Sequence, residues 1–299
     1  MKKTLLGAAL CGLAVAFSGT ANADSSSNDW WSGLTAIENW FSEVSAASST
    51  NNWLTALIDL ENLFNPGNGS LPAPSGGDDG AEFLSGSTHA LVLGATGVST
   101  PSAAYVSDAL NLYLEPNGYD GDAASALALT TPETFSFESS VSQGEQILIN
   151  TIVADYNAGD MGCNAAGICS DPLTIFTYSQ SSAIAALAEQ QLSVDKIPDD
   201  ALRFVMLGAN PLGVPNDLFP TEIYDINGDT WAEPGSLGTS WQDLLTGLAL
   251  HEVYLGLTPT EIASASTIAD GMTTLHEIPT LTGGAFWDAL IGAFGAGAS

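Results

Sequence analysis

Basic residues are almost missing from this chain: Lys and Arg number 4 against 34 Asp and Glu in 299 residues. Lys2 and Lys3 sit at the N-terminus, which leaves Lys196 and Arg203 for everything after it. Nucleic-acid binding rests on Lys and Arg contacts to phosphate, so a nucleic-acid partner is excluded. The acidity fits a solvated surface and names no substrate. Histidine is equally scarce, with only His89, His251 and His276, so any imidazole base must be one of 3 residues. Cysteine is limited to Cys11, Cys163 and Cys169. No histidine lies near the last two in sequence, which argues against a metal or thiol-catalytic role. No apolar run reaches the length of about 20 residues that a membrane-spanning helix needs, so no transmembrane helix is expected.

The N-terminus carries a basic Met1-Lys2-Lys3, an apolar run from Leu5 to Phe17, and Ala21-Asn22-Ala23 before Asp24. This order reads as a secretory signal peptide over 1–23. The mature chain is then expected outside the cell, free or held at its surface by contacts. In that oxidising setting Cys163 and Cys169, closing a small Gly- and Asn-containing loop, read as a disulfide.

Residues 24–65 predict an amphipathic helical segment with an internal quasi-repeat. Trp30, Leu34, Glu38 and Phe41 return as Trp53, Leu57, Glu61 and Phe64, shifted by 23 positions. Two helices packing on each other or on the main domain explain that pattern; contact with a cell-envelope lipid surface through the tryptophans is the sharper reading. A Pro-, Gly-, Ser- and Asp-rich linker covers 66–80, and one domain follows over 81–299.

Within that domain, strand-like and helix-like stretches alternate, which predicts an α/β fold with a doubly wound, mainly parallel sheet. The expected strands are 89–93, 173–178, 202–208 and 222–226. Expected helices cover 103–113, 141–156, 183–191, 241–250 and 259–269, the first capped by Thr100-Pro101-Ser102. The final stretch, 284–291, is apolar and amphipathic and reads as core or lid packing. Function in such sheets gathers at the C-terminal strand ends, which here carry Gly94–Gly97, Ser179, Gly208 and Asp225/Asp229.

Thr177-Tyr178-Ser179-Gln180-Ser181 is a relative of the G-x-S-x-G elbow, which exposes a serine on a strand-to-helix turn. A nucleophilic serine needs a base and a group to hold that base. In the chain order Ser…acid…His, His251 fits first and His276 second, whereas His89 precedes Ser179 and reads as structural. Tyr224-Asp225-Ile226-Asn227-Gly228-Asp229 offers two acids: Asp225 at a strand end and Asp229 after a glycine turn. The Gln180 N–H at a helix start is one candidate oxyanion donor, and the Ala95, Thr96 and Gly97 turn is a second source. A dinucleotide site in that turn lacks the third glycine of its fingerprint.

These ordered pieces, from Leu93-Gly94-Ala95-Thr96-Gly97 through Tyr178-Ser179-Gln180-Ser181 and Tyr224-Asp225…Asp229 to His251…Tyr254, resemble the PE-PPE C-terminal domain. That family is an actinobacterial serine α/β-hydrolase domain, distantly similar to cutinases. The resemblance covers about residues 88–285, and the step of 26 from Asp225 to His251 matches the family spacing. It implies an α/β-hydrolase fold and cleavage of short- to medium-chain acyl esters without cofactor or metal. The implied site is Ser179, Asp229 (or Asp225) and His251. It also implies alternatives: acyl transfer to cell-envelope glycolipids, or an envelope-binding module that keeps the fold without the chemistry. Thr177 stands where the family elbow has glycine, Glu252 where a glycine follows the histidine, and no PE or PPE leader is present.

Overall fold

The computed structural model describes residues 83–232 and 241–296. The predicted signal peptide, tryptophan-rich segment and linker lie outside the described residues. Seven strands form one sheet in the order β2-β1-β3-β4-β5-β7-β6. They are β1 (Ala90–Val92), β2 (Ala126–Ala128), β3 (Leu173–Tyr178), β4 (Leu202–Leu207), β5 (Thr221–Ile226), β6 (Ser266–Asp270) and β7 (Thr273–Ile278). Every neighbouring pair is parallel except β6–β7.

The helices are α1 (Ala103–Ala109), α2 (Phe137–Ala158), α3 (Gln180–Val194), α4 (Trp241–His251), α5 (Pro259–Ala263) and α6 (Gly283–Ala296). They cover both faces of the sheet, as an α/β-hydrolase-like fold requires. Central strands are therefore buried on both sides and read as continuous apolar runs rather than alternating ones. All six residues of β3 and all six of β5 are buried. Phe176, Ile175, Phe204 and Ile223 are fully enclosed. Near the site α2 packs closely on α3. A Cβ at Gly144 would lie 2.2 Å from Ile184 Cδ1, so the glycine lets the helices close.

After β1 the chain runs outward to β2, then returns to the other flank of β1 as β3. With right-handed crossovers this reversal sends successive helices to opposite faces and opens a crevice above the C-terminal ends of β1 and β3. The Gly94–Gly97 turn and Ser179 occupy those two ends.

The expected strands and long helices are present with shifted ends. Within Thr100-Pro101-Ser102 it is Ser102 that caps α1, its hydroxyl accepting from Tyr105 N–H at 3.2 Å, so Pro101 precedes the cap rather than entering the first turn. The predicted helix over 259–269 is corrected. It starts on a Thr258/Glu261 capping box but ends at Ala263. Ser266-Thr267-Ile268, a partly β-branched run, leaves the helix to pair with β7. β7 and the Ala-Leu-Ala edge strand β2 have no counterpart among the predicted elements.

Candidate active site

β3 ends at Tyr178 and α3 begins at Gln180, so Ser179 alone makes the turn. Its φ of 62° is a conformation that L residues adopt only when the surroundings impose it, at a cost on the order of 1–3 kcal/mol. Those surroundings are explicit. The Ser179 N–H donates to Leu207 O at 2.9 Å, tying the elbow to the end of β4. Ser181 Oγ accepts from Tyr178 N–H at 2.9 Å and donates to Tyr178 O at 3.0 Å. Thr177 Oγ1 and Ser182 Oγ lie 3.1 Å apart, and Ser182 Oγ donates to Leu207 O at 3.1 Å. Thr177 and Ser181 stand where the motif has glycine, and each hydroxyl is buried and bonded, which removes the penalty for enclosing it.

His251 closes α4 and is 3% exposed. Its ring rests against Gly208, immediately after β4, whose φ is +56°. A Cβ there would stand 2.7 Å from His251 Cε1 and 3.0 Å from Nδ1. The Tyr178 hydroxyl donates to the His251 carbonyl, and the Trp231 ring lies 5.7 Å from the imidazole. Nε2 is 2.8 Å from Ser179 Oγ and Nδ1 is 2.7 Å from Asp229 Oδ2.

Asp229 follows β5 on a turn that Gly228 makes with φ of +93°. Its Oδ1 accepts from Trp231 N–H at 2.9 Å and Ala232 N–H at 3.3 Å. Its Oδ2 accepts from His251 and from the Tyr254 hydroxyl at 2.8 Å. Burial disfavours the imidazolium, but the Asp229 carboxylate more than offsets it, with Glu252 and Asp225 adding to the field. The His251 pKa is consequently held above the ordinary 6.5. With Nδ1–H donating to Asp229, Nε2 is the acceptor left facing Ser179.

The candidate oxyanion donors are assembled differently from one another. The Gln180 N–H is the first of α3 and has no acceptor within the helix. The Gln180 side chain is locked: Oε1 accepts from Ser140 Oγ at 2.6 Å, while Nε2 donates to Thr134 O at 3.0 Å and Thr96 Oγ1 at 3.3 Å. Gly97 departs from expectation, because its N–H already donates to Glu133 O at 2.6 Å. That leaves Ala95 and Thr96 as the candidate donors of this turn. Thr96 also brings a hydroxyl whose oxygen is held by Gln180 and whose proton can point elsewhere.

The remaining candidates fall outside this cluster. Asp225 is buried on β5 and accepts from the Tyr254 hydroxyl at 3.0 Å, one side chain removed from His251. His276 lies on β7, stacked 4.4 Å from Tyr224 with its Nε2 3.4 Å from Glu222 Oε2. His89 stands at the opposite, N-terminal end of β1, 3.1 Å from Asp171. Cys163 and Cys169 are joined as a disulfide. Among the described residues no cluster of metal-ligating side chains occurs.

Sequence reasoning placed Gly208 at a functional strand end and Tyr254 in the motif after His251 without a role for either, and it missed Glu133. Glu133 is 1% exposed with φ of 42°, and its carbonyl and its neighbour Thr134 hold the Gly97 and Gln180 contacts. Burial pushes its carboxyl up to about 7, although the Thr131 hydroxyl donates to it. A non-glycine residue with positive φ leaves no signature in composition or periodicity.

A mostly parallel sheet with a serine elbow above its C-terminal edge defines an α/β-hydrolase-like fold. More particularly, the PE-PPE domain family model matches residues 95–227, and the chain carries a PE-PPE domain there. That match ends before Asp229 and His251, whose proximity to Ser179 is therefore a matter of geometry. The chain is 30% identical over 242 residues to the uncharacterized PPE family protein PPE28 of Mycobacterium tuberculosis (strain ATCC 25618 / H37Rv). The aligned part is 67% of this chain and 35% of that protein. It is 27% identical over 225 residues to Esterase PE16 of the same organism, covering 62% of this chain and 40% of the relative. The chain thus spans well under half the length of either curated relative. No solved structure gives a significant match.

Proposed function

We propose that this protein is a serine esterase that cleaves carboxylic esters of short to medium acyl chains through an acyl-enzyme on Ser179. An esterase- or lipase-like role is supported by the PE-PPE domain and by the relative named an esterase. The observation that carries the finer reading is one line of contacts: Ser179 Oγ to His251 Nε2 at 2.8 Å, then His251 Nδ1 to Asp229 Oδ2 at 2.7 Å.

In this reading Ser179 Oγ attacks the ester carbonyl as its proton passes to His251 Nε2. Asp229 holds the imidazole in the tautomer that can accept and stabilises the cation that forms. The tetrahedral oxyanion is met by the Gln180 N–H and by Thr96 and Ala95 of the β1 turn. One such donor contributes roughly 3–4 kcal/mol of transition-state stabilisation. His251 then protonates the departing alkoxide, leaving the acyl group on Ser179. Water, deprotonated by the same nitrogen, attacks that ester and releases the acid. No cofactor enters any step. Export to the cell exterior is part of the proposal and is supported by the signal-like residues 1–23.

The test is turnover of p-nitrophenyl acyl esters of graded chain length by wild type, Ser179→Ala and His251→Ala, with fluorophosphonate labelling alongside. Loss of turnover in both variants, and of labelling in Ser179→Ala, is expected. Wild-type rates in either variant would sink the assignment. A folded wild-type protein that never labels at Ser179 would instead favour a non-catalytic binding module.

A further inference from the structure

We infer that Tyr254 is a positioning residue whose one hydroxyl proton is shared between two buried carboxylates, coupling Asp225 to the Asp229–His251 pair. This rests on the serine-esterase reading above. Three polar groups surround the Tyr254 oxygen: Ile226 N–H at 2.9 Å, Asp225 Oδ1 at 3.0 Å and Asp229 Oδ2 at 2.8 Å. The amide can only donate, so it fixes one lone pair of the oxygen. Two carboxylates then compete for the single O–H. All three side chains are buried, Tyr254 and Asp229 completely and Asp225 to within 1%.

The ring itself has no freedom to choose. It packs edge-on against Tyr178 at 5.5 Å and stands 6.2 Å from the His251 ring. Its backbone carbonyl accepts from the Tyr113 hydroxyl at 2.7 Å. Only rotation about the C–O bond remains, and it exchanges one O–H···O contact for the other. No proton leaves the oxygen and no charge changes.

The exchange matters because Asp229 Oδ2, one of the two acceptors, is also the atom that meets His251 Nδ1. While His251 is neutral, a second donor on Oδ2 spreads the carboxylate charge. When the Ser179 proton reaches Nε2, the imidazolium draws on Oδ2 more strongly, and the hydroxyl turns to Asp225. Asp225 therefore acts on the base in two ways: as the alternate acceptor and through its own charge.

The groups that face His251 are Asp229 and Asp225 from the β5 end, Glu252 beside it, and the hydroxyls of Tyr178 and Tyr254. Both tyrosines are held far above their ordinary range by burial and stay neutral. Only the carboxylates can move the base.

The test compares Tyr254→Phe and Asp225→Asn with wild type and Ser179→Ala, reading kcat, KM and the acid limb of the pH–rate profile. Tyr254→Phe removes the hydroxyl that holds Asp229 Oδ2 in place against His251 Nδ1, so kcat falls about 10- to 100-fold, KM changes little and the acid limb, with the carboxylate less neutralised, moves to higher pH. Asp225→Asn keeps the shape but removes a negative charge, so the acid limb moves to lower pH. Shifts of opposite sign are a signature that lost packing does not produce. If Tyr254→Phe fails to fold, the shift in the isosteric Asp225→Asn decides alone. Acid limbs that coincide with wild type, with Ser179→Ala dead, would overturn this inference and leave the esterase reading intact. Full turnover by Ser179→Ala would instead remove the esterase reading itself.

Discussion

Replacing Gly208 with alanine adds one methyl group and should disable the site. The alanine Cβ would stand 2.7 Å from His251 Cε1, while carbon atoms in contact prefer about 3.5–4.0 Å. The imidazole would have to retreat by roughly 0.8 Å or more. It has no room to do so while keeping both the 2.8 Å contact to Ser179 and the 2.7 Å contact to Asp229. Displacements near 1 Å at a reacting centre typically lose on the order of 100-fold in rate. The backbone adds a separate cost, because Gly208 has φ of +56° and a side chain there carries about 1–2 kcal/mol of strain. Gly159→Ala separates the two effects. That residue, the C-cap of α2, has φ of +84° with nothing within 4 Å of an added Cβ. Both variants should lose similar stability in chemical denaturation, but only Gly208→Ala should lose about 100-fold in kcat/KM on a p-nitrophenyl ester. A Gly208→Ala enzyme within twofold of wild type, with normal phosphonate labelling, would refute the idea that this backbone contact fixes the histidine.

Three further outcomes follow from the charges. Because His251 must be neutral to accept a proton and its pKa is held above 6.5, kcat/KM should fall as pH drops through a value above 6.5. Asp229→Asn should move that limb down and lower kcat by roughly 10⁴-fold through the wrong tautomer; an unmoved limb would mean another group titrates. Glu189, fully buried on α3, has its carboxyl pushed up by burial to about 9, a contact with Thr221 offsetting part of the rise. A raised folded pKa means the contribution is complete below the unfolded value of 4.5 and is lost as pH rises toward about 9. At pH 7 the loss is about 3 kcal/mol. Glu189→Gln should flatten the decline in unfolding free energy between pH 5 and 8, as read by denaturant titration; an unchanged slope would contradict the burial argument.

Legibility varied with how local each cause was. The strand Leu173–Tyr178 and the helix after it announce themselves through β-branched, aromatic and then Ala-rich residues, and their junction names Ser179. Helix α5 was overextended because Ser266–Asp270 becomes a strand only by pairing with β7. A fully exposed edge strand carries little buried pattern to read. His251 and Asp229 could be nominated because so few histidines exist and because acid and base follow the serine in order. Asp225 and Asp229, four residues apart, could not be separated that way.

By itself, then, the sequence determined the polypeptide's class, its strand–helix alternation, its disulfide pair and a short list of candidate reacting groups. Each of those depends on composition, periodicity or order along the chain. Only the tertiary structure decided which aspartate meets the imidazole, that the Gly97 N–H is already committed to Glu133, and that Gly208 and Tyr254 belong to the site. These depend on where the ends of separate strands meet above one sheet. Ser179, Asp229 and His251 are 22 to 72 residues apart in sequence, and the fold brings the His251 ring within one hydrogen bond of each of the other two.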